Sequence, residues 1–363
     1  MLELYDSEGI KRSSQTIEFA AMSQLDVSLN AVEGYEVDQV GTVKLSYENS
    51  GCVGGYLSRF KLDASGSGDY DFDLSLPLVN MSSGTTYASY NTFQPSLNPA
   101  DAANPVYNWL EVINLSDSDL DFTKNIYDVG GNLVETEEVS IPSQARRDLQ
   151  AGHENPGPSM VGVVELVPED ARAKYFARVM RYGSNPSVAG GFDFSTSSDA
   201  KTGEIGCKHV SISSGAGAEN WLVISNLGDD EALINIDLTS GGGSLAGFPT
   251  AVNVSAKGQA HISASSALPE GGAGVATICS ANEEPLMAES NFYFRDALAG
   301  NVSSAYTKRS EKGVCGETAV ASYNTFLGLN NWLRLTGVGA GEIVGEIVRV
   351  EPESGLSSSS PLQ

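Results

Sequence analysis

The sequence predicts an all-β protein made of tandem antiparallel β-sandwich repeats of about 110 residues. The tripeptide Asn-Trp-Leu starts at residues 108, 220 and 331, so its copies are 112 (108 to 220) and 111 (220 to 331) residues apart. These copies contain all 3 tryptophans of the protein. Between them, short alternating apolar and polar runs are separated by turns rich in Gly, Asn, Asp and Pro, which is typical of strands.

Two complete repeats are predicted, at residues 85–200 and 201–310. In the first, turn-forming residues separate the expected strands, which lie at residues 86–93, 107–114, 122–128, 135–141, 161–167 and 173–182. The second follows the same order, since its Asn-Trp-Leu strand and its Gly-Val strand match those of the first. Several short strands within a repeat of this length are typical of one β-sandwich.

Residues 1–84 are predicted to be a half repeat that contains the C-terminal strands of a unit. Residues 4–9 (Leu-Tyr-Asp-Ser-Glu-Gly) resemble residues 126–131 (Ile-Tyr-Asp-Val-Gly-Gly). Residues 41–45 resemble residues 162–166 in the same way. An Asn-Trp-Leu strand is missing from this segment, so we expect it to begin in the middle of a repeat.

Residues 311–363 are predicted to be the complementary half repeat, with the N-terminal strands of a unit. The sequence Ala-Ser-Tyr-Asn-Thr-Phe occurs at residues 88–93 and again, unchanged, at residues 321–326. Because half of a sandwich exposes an apolar face and unpaired strand edges, we expect the two halves to be completed. Three arrangements are open: closure of one chain into a ring, head-to-tail pairing between chains, or a segment cut from a longer array.

The cysteines favour disulfides and an oxidising compartment, because the 4 of them form no Cys-x-x-Cys pair. Cys207 and Cys279 both lie in the second complete repeat and can pair there. In that case Cys52 and Cys315, one in each half repeat, are the matching pair of the completed unit. Other connectivities, and four free buried thiols, remain open alternatives.

The charge is strongly acidic, with 21 Lys and Arg against 46 Asp and Glu and a formal net charge of −25. Such a surface repels nucleic acids and anionic membranes, so neither is an expected partner. No stretch approaches the roughly 20 apolar residues of a membrane span. No signal peptide is visible, which leaves a mature or trimmed chain, or a cytosolic one. We expect an extracellular or cell-surface protein.

Acidic residues supply the one candidate metal site. Asp117, Asp119 and Asp121 alternate at a predicted turn and could offer oxygen ligands to calcium. Phe122 stands where an EF-hand loop would need its glycine, so a solvated acidic face is the alternative. Apart from this calcium ion, no cofactor is expected.

Neither the histidines nor the tryptophans indicate a reaction. No enzymatic activity is expected, because no catalytic pattern surrounds the 3 histidines, His153, His209 and His261. The repeated tryptophans are expected to form the structural core of the sandwiches: Trp109, Trp221 and Trp332. The alternative is a sugar-binding platform built from Trp109 and neighbouring aromatic residues.

The recurring pattern resembles the Ig-like β-sandwich repeats of secreted and surface-anchored bacterial proteins. It runs Asn-Trp-Leu-x-Val-x-Asn-Leu, then a Tyr-Asp-x-x-Gly turn, then Val-x-Ile/Val-Pro-x-Gln. The resemblance implies an Ig-like or jelly-roll-like sandwich and a role as a stalk, a sheath or filament element, or an adhesive module.

The expected function is therefore that of a non-enzymatic extracellular structural protein that assembles head to tail through its complementary half repeats. A carbohydrate- or calcium-dependent adhesin, with a surface glycan as partner, is the alternative. A hydrolase on a sandwich scaffold is a further one.

Overall fold

The computed structural model describes residues 1–18, 25–32, 40–46, 55–62, 70–78, 81–92, 106–152, 160–184, 192–241, 243–295, 302–310, 346–350 and 357–361. The described chain is all-β, and every strand pairing in it is antiparallel. This confirms the predicted all-β class.

The first sandwich consists of two four-stranded sheets with the orders β6-β11-β8-β9 and β10-β7-β12-β13. Its strands are β6 (Thr86–Asn91), β7 (Val106–Asn114), β8 (Leu120–Asp128), β9 (Leu133–Ile141), β10 (Arg146–Gln150), β11 (Val161–Pro168), β12 (Tyr175–Ser184) and β13 (Phe192–Asp199). One apolar cluster takes residues from both sheets, among them Ala88, Leu110, Ile126 and Val179. Burial of this shared cluster holds the two sheets face to face.

The second sandwich has the same strand order in both sheets, β14-β20-β16-β18 and β19-β15-β21-β22, and a two-residue strand, β17, also pairs with β16. Its strands are β14 (Lys208–Ser213), β15 (Glu219–Asn226), β16 (Ala232–Ser240), β17 (Gly243–Ser244), β18 (Thr250–Val254), β19 (Gln259–Ser263), β20 (Ala273–Ser280), β21 (Leu286–Arg295) and β22 (Val302–Arg309). A second apolar cluster fills it.

Three smaller sheets lie outside the two sandwiches. The N-terminal sheet has the order β2-β1-β3, and two hairpins are formed by β4 with β5 and by β23 with β24. Their strands are β1 (Leu2–Asp6), β2 (Lys11–Gln15), β3 (Gly41–Leu45), β4 (Tyr56–Leu62), β5 (Tyr70–Pro77), β23 (Glu346–Val350) and β24 (Ser357–Pro361). The third Asn-Trp-Leu copy with Trp332, and the cysteines Cys52 and Cys315, lie outside the described residues.

The Asn-Trp-Leu strand β7 turns Asn108, Leu110, Val112 and Asn114 inward, and all four are fully buried. Strand β15 does the same with the residues at the equivalent positions, Asn220, Leu222, Ile224 and Asn226. Side chains alternate between the faces of a strand, so Trp109 and Trp221 lie on the other face, where both are half-buried. This corrects the expected core position of these tryptophans: leucine and asparagine occupy the inner face instead.

The buried asparagines at the two ends of these strands tie one sheet to the other. Asn108 accepts a hydrogen bond from the backbone N–H of Asn91 on β6 at 3.0 Å. At the other end, the Asn114 side-chain amide donates to the carbonyl oxygens of Ile141 and Pro142, at 3.0 and 3.1 Å. Asn226 repeats these bonds to Val254 and Ser255, both at 3.0 Å. A buried amide that satisfies several backbone groups fixes the local register of the two sheets.

A disulfide joins Cys207 to Cys279, which are 72 residues apart in the sequence. It links the start of β14 to its partner strand β20, next to the pair Lys208 and Ile278. This confirms the pairing of Cys207 with Cys279 that the sequence offered as one possibility. The corresponding bond between Cys52 and Cys315 stays a prediction.

We predict that Asn114→Ala lowers the free energy of unfolding by about 2 kcal/mol or more, because buried carbonyl oxygens lose their donor. Urea denaturation of the purified protein measures this loss. Asn132→Ala is the matched control, since Asn132 is exposed and its side chain bonds to Asp128 alone among the contacts described. Similar losses in the two variants would contradict the role of Asn114.

Candidate functional site

The first and second sandwiches meet at a joint formed by two turns, at residues 129–131 and 255–259. The backbone N–H of Gln259 donates to the carbonyl oxygen of Val129 at 2.9 Å. Gly131 has a φ of 82°, and a Cβ added to it would overlap the carbonyl oxygen of Ala256. Glycine allows both the left-handed backbone and the close approach of the two turns.

The same joint connects the N-terminal sheet to the first sandwich. The backbone N–H of Arg146 donates to the carbonyl oxygen of Ser7 at 2.9 Å, as Gln259 does to Val129. Gly9 has a φ of 78°, and a Cβ there would overlap the carbonyl oxygen of Ser143. Equivalent residues of the two joints are separated by a constant number of positions. The separation is 122 in the glycine turn (7 to 129 and 9 to 131) and 113 in the other turn (143 to 256 and 146 to 259).

The two glycine turns are built alike. The carboxylate of Asp6 accepts hydrogen bonds from the backbone N–H groups of Glu8 and Ile10, at 3.0 and 2.9 Å. The carboxylate of Asp128 accepts two bonds of the same kind, from Gly130 and Asn132, both at 2.9 Å. An aspartate that caps its own turn orders the backbone that enters the joint.

A second backbone contact also recurs in both joints. The side-chain amide of Gln259 donates to the carbonyl oxygen of Gly162 at 2.8 Å. In the first joint the guanidinium of Arg146 donates to the carbonyl oxygen of Gly41 at 3.2 Å. Gly41 and Gly162 hold the same place in their sheets, because Gly41 pairs with Asp6 and Gly162 pairs with Asp128. The joint therefore uses the same backbone atoms with different side chains.

Apolar and charged groups surround the turns of the second joint. Val163, Leu227, Met287 and Tyr87 form an apolar cluster between the two sandwiches. The ammonium of Lys257 donates to the carbonyl oxygen of Leu227 at 2.7 Å. It also lies 3.6 Å from a carboxylate oxygen of Glu165 and 3.1 Å from one of Asp229, at the edge of an open groove of about 550 Å³.

An edge cluster of buried polar residues joins strand β13 of the first sandwich to strands β21 and β22 of the second. Glu289 is 1% exposed and accepts hydrogen bonds from the hydroxyls of Ser89 and Ser198. Asp199 forms ion pairs with Arg178 of its own sandwich and with Arg309 of the second. Burial tends to raise the pKa of Asp199, but the guanidiniums of Arg309 and Arg178 outweigh it and hold the pKa below its usual value.

An arginine–tyrosine contact accompanies both joints. Arg181 on β12 donates to the hydroxyl of Tyr293 on β21. Arg59 on β4 hydrogen bonds Tyr182 on β12 and pairs with Glu111 at 2.8 Å. Strand β13 lies close to both β5 and β22.

The cavity at the centre of the edge cluster measures about 10 Å³, which is room for one water molecule at most. Ser89, Glu289 and His261 all line it. Burial, with a contribution from Arg181, lowers the pKa of His261 to about 4, so the imidazole is neutral at pH 7. Its Nε2 atom lies 3.1 Å from Oε1 of Gln259. The cluster is thus a packed contact with no space for a substrate.

The candidate calcium ligands do not come together. Asp117, Asp119 and Asp121 are all exposed, and no group of three or more His, Cys, Asp or Glu residues in the described ranges could hold a metal ion. A calcium site needs about six to eight converging oxygen ligands, so the spacing of three exposed carboxylates does not make one. His209 contacts Thr277, and His153 lies outside the described residues.

Sequence analysis does not find the joint residues, because a Tyr-Asp-x-x-Gly turn is also expected within a single unit. The available signal is the recurrence of this turn at residues 5–9 and 127–131. In the structure it meets a second recurrent turn, at Gln144 and Lys257, where the backbone φ is 58° and 57°. Non-glycine residues seldom adopt this conformation, so its recurrence marks a constrained site.

No family model and no curated protein matches the chain. Solved structures with a likeness are β-glucuronidase from Ruminococcus gnavus in its apo form and in complex with uronic isofagomine, each 10% identical with a TM-score of 0.15. The match covers 73% of this chain and 46% or 44% of the enzyme, so the chain spans less than half of that protein's length. A TM-score this low carries no argument about fold or activity.

The described residues form an all-β, sandwich-like protein that contains one disulfide in these ranges. In the same ranges, no helix is long and apolar enough to cross a membrane.

We predict that Gly131→Ala opens the second joint. The residue would keep an unfavourable left-handed backbone, at about 1 kcal/mol, and its Cβ would also displace the carbonyl of Ala256. Gly241→Ala is the control, because Gly241 has a φ of 57° but no atom within 4 Å of an added Cβ. Hydrogen exchange at the Gln259 amide should accelerate in the first variant only, and equal acceleration in both would contradict the joint.

We predict that Asp199→Asn weakens the contact between the sandwiches by roughly 3 kcal/mol at pH 7, because Arg178 and Arg309 lose a buried partner. The folded pKa of Asp199 lies below the unfolded value near 3.8, so the stabilisation is complete above that pH and is lost as the pH falls through the folded pKa. Urea midpoints of the two proteins should therefore converge in acid. Asp170→Asn, which breaks an exposed pair with Arg172, should leave the midpoint unchanged.

Proposed function

We propose that this chain is a non-enzymatic, extracellular structural protein of tandem Ig-like sandwich repeats that assembles head to tail. The observation that carries the proposal is the repetition of the joint. Equivalent residues form it twice, with the same backbone hydrogen bond to the carbonyl oxygens of Ser7 and Val129. The proposed units are residues 85–200 and 201–310, with half repeats at 1–84 and 311–363.

A joint that recurs along the chain supports an array in which each unit contacts one neighbour on one side and a second neighbour on the other. The glycine turn of one unit enters the next, and that next unit carries a glycine turn of its own. Such a heterologous contact extends a chain of units without a fixed end. A stalk or filament element needs this property, whereas a single binding module does not.

The groups at the joint support a structural role over a ligand-binding one. The charged residues of the edge cluster are paired with each other, and the cavity between them measures only about 10 Å³. Ligand sites are usually clefts of several hundred Å³ with convergent polar groups. The open groove beside Lys257 has the required volume, but Lys257 and Glu165, which both line it, pair with each other at 3.6 Å.

Two observations support an extracellular location. The Cys207–Cys279 disulfide fits an oxidising compartment. The net charge of −25 fits a protein exposed at high local concentration, because mutual repulsion opposes non-specific aggregation. The same charge opposes binding to nucleic acid.

Negative-stain electron microscopy of the purified chain tests the proposal. We expect filaments with a regular repeat, and we expect them to persist in a chelator, because the described contacts of the joint are hydrogen bonds, ion pairs and apolar packing between protein groups. Discrete single particles at every protein concentration would contradict head-to-tail assembly. Filaments that dissolve in the chelator would favour the calcium-dependent alternative instead. Loss of filaments in reductant would implicate the predicted Cys52–Cys315 bond.

A further inference from the structure

Strand β3 of the N-terminal sheet has one edge with no partner strand in the described part of the chain, whereas its counterparts in the sandwiches are paired on both edges. Strand β11 pairs with β8 on one side and β6 on the other, and β20 pairs with β16 and β14 in the same way. Among the strands that the structure describes, β3 pairs with β1 alone. An edge strand presents a row of N–H and C=O groups that can pair with another segment.

The N-terminal sheet reproduces the register of the first sandwich, residue for residue. Tyr5 pairs with Thr42, as Tyr127 pairs with Val163. Because the positions match, the partner of β11 predicts the partner of β3. That partner in the first sandwich is β6, in the register Gly162 to Tyr90 and Val163 to Ser89.

The sequence of β6 has an unchanged copy outside the described residues, at residues 321–326. In the first sandwich the ring of Tyr90 lies over Gly162, where an added Cβ would come within 2.9 Å of it. Gly41 occupies the same position on β3, so the edge has space for the ring of the matching Tyr323. Alanine or a larger residue at position 41 would close that space.

A buried polar atom on β3 has no partner within the described part of the chain. Thr42 is 7% exposed, and its hydroxyl forms no hydrogen bond with any described residue. A buried hydroxyl without a hydrogen bond is destabilising, and a hydrogen-bond partner on an added strand would remove this cost. By the register of β6 on β11, the residue opposite Thr42 is Ser322. A hydroxyl pair across neighbouring strands is a favourable contact.

We propose that the edge of β3 binds residues 319–324 of a second copy of this chain as an added antiparallel strand, with Gly41 opposite Tyr323 and Lys44 opposite Val320. The inference rests on the proposed head-to-tail assembly and assigns its contact surface. A second copy is the occupant that follows from head-to-tail assembly, because the same contact recurs from the N-terminal sheet to the first sandwich and from the first sandwich to the second. Strand addition of this kind supplies backbone hydrogen bonds for affinity and side-chain positions for specificity.

Cross-linking between two single variants tests the pairing in the full chain. One preparation carries Lys44→Cys and the other Val320→Cys, so that a disulfide between positions 44 and 320 in their mixture joins different chains. These positions match Glu165 and Tyr87, which lie directly opposite each other on β11 and β6. Peptide mapping after mild oxidation identifies the bond even in the presence of the natural cysteines.

The matched control is Val43→Cys mixed with Val320→Cys. A shift of one residue moves the thiol to the other face of the strand, outside disulfide geometry. We expect at least about a tenfold excess of the 44–320 bond over the 43–320 bond. A second pair, Thr42→Cys with Ser322→Cys, tests the same register two residues away and should also cross-link.

Two results would overturn the pairing: equal bonds in both registers, or no bond in any mixture. Microscopy of the same samples separates this inference from the proposed function. Filaments without the 44–320 bond would overturn the β3 pairing and leave head-to-tail assembly in place. Single particles without the bond would overturn both.

Discussion

The architecture depends on one backbone hydrogen bond between two turns, from the N–H of Gln259 to the carbonyl oxygen of Val129. A bond between backbone groups sets the distance between the two turns, and it does not depend on side-chain identity. Its repetition from Arg146 to Ser7 explains why arginine and glutamine can occupy the same place. The capping aspartates Asp6 and Asp128 hold the turns in the shape that this contact requires.

The polar residues around the joint contribute orientation more than stability. Burying Asp199, Arg178 and Glu289 costs desolvation energy. The ion pairs of Asp199 with Arg178 and of both carboxylates with Arg309 offset this cost only when the geometry is correct. A rotation of one sandwich against the other would leave these groups buried and unpaired, which costs several kcal/mol. An apolar contact such as the cluster of Val163, Leu227 and Met287 tolerates small rotations much better. The combination gives a joint with one preferred orientation.

Within each sandwich, asparagine and not tryptophan occupies the inner face of the Asn-Trp-Leu strand. Asn108 and Asn114 stand at the two ends of β7 and bond to the backbone of the facing sheet. The tryptophans lie on the outer face of these strands. There Trp221 packs with Phe194 and Tyr293, where the two sandwiches approach each other. The repeated Asn-Trp-Leu motif therefore combines two functions on one strand, sheet-to-sheet bonding on the inner face and, for Trp221, contact between sandwiches on the outer face.

The sequence by itself determined the strand content, the position of most strands and the correspondence between residues 4–9 and 126–131, because alternation and turn residues are local signals. It also brought Cys207 and Cys279 into one unit, because both lie in the same copy of the pattern. Only the tertiary structure decided which face of β7 is buried, since alternation alone does not say which set points inward. It alone also revealed the joint, because the contacts between Gly131 and Ala256, or between Asp199 and Arg309, join residues more than 100 positions apart (131 to 256 and 199 to 309). Such contacts depend on how whole sheets are placed in space, which no local pattern of residues records.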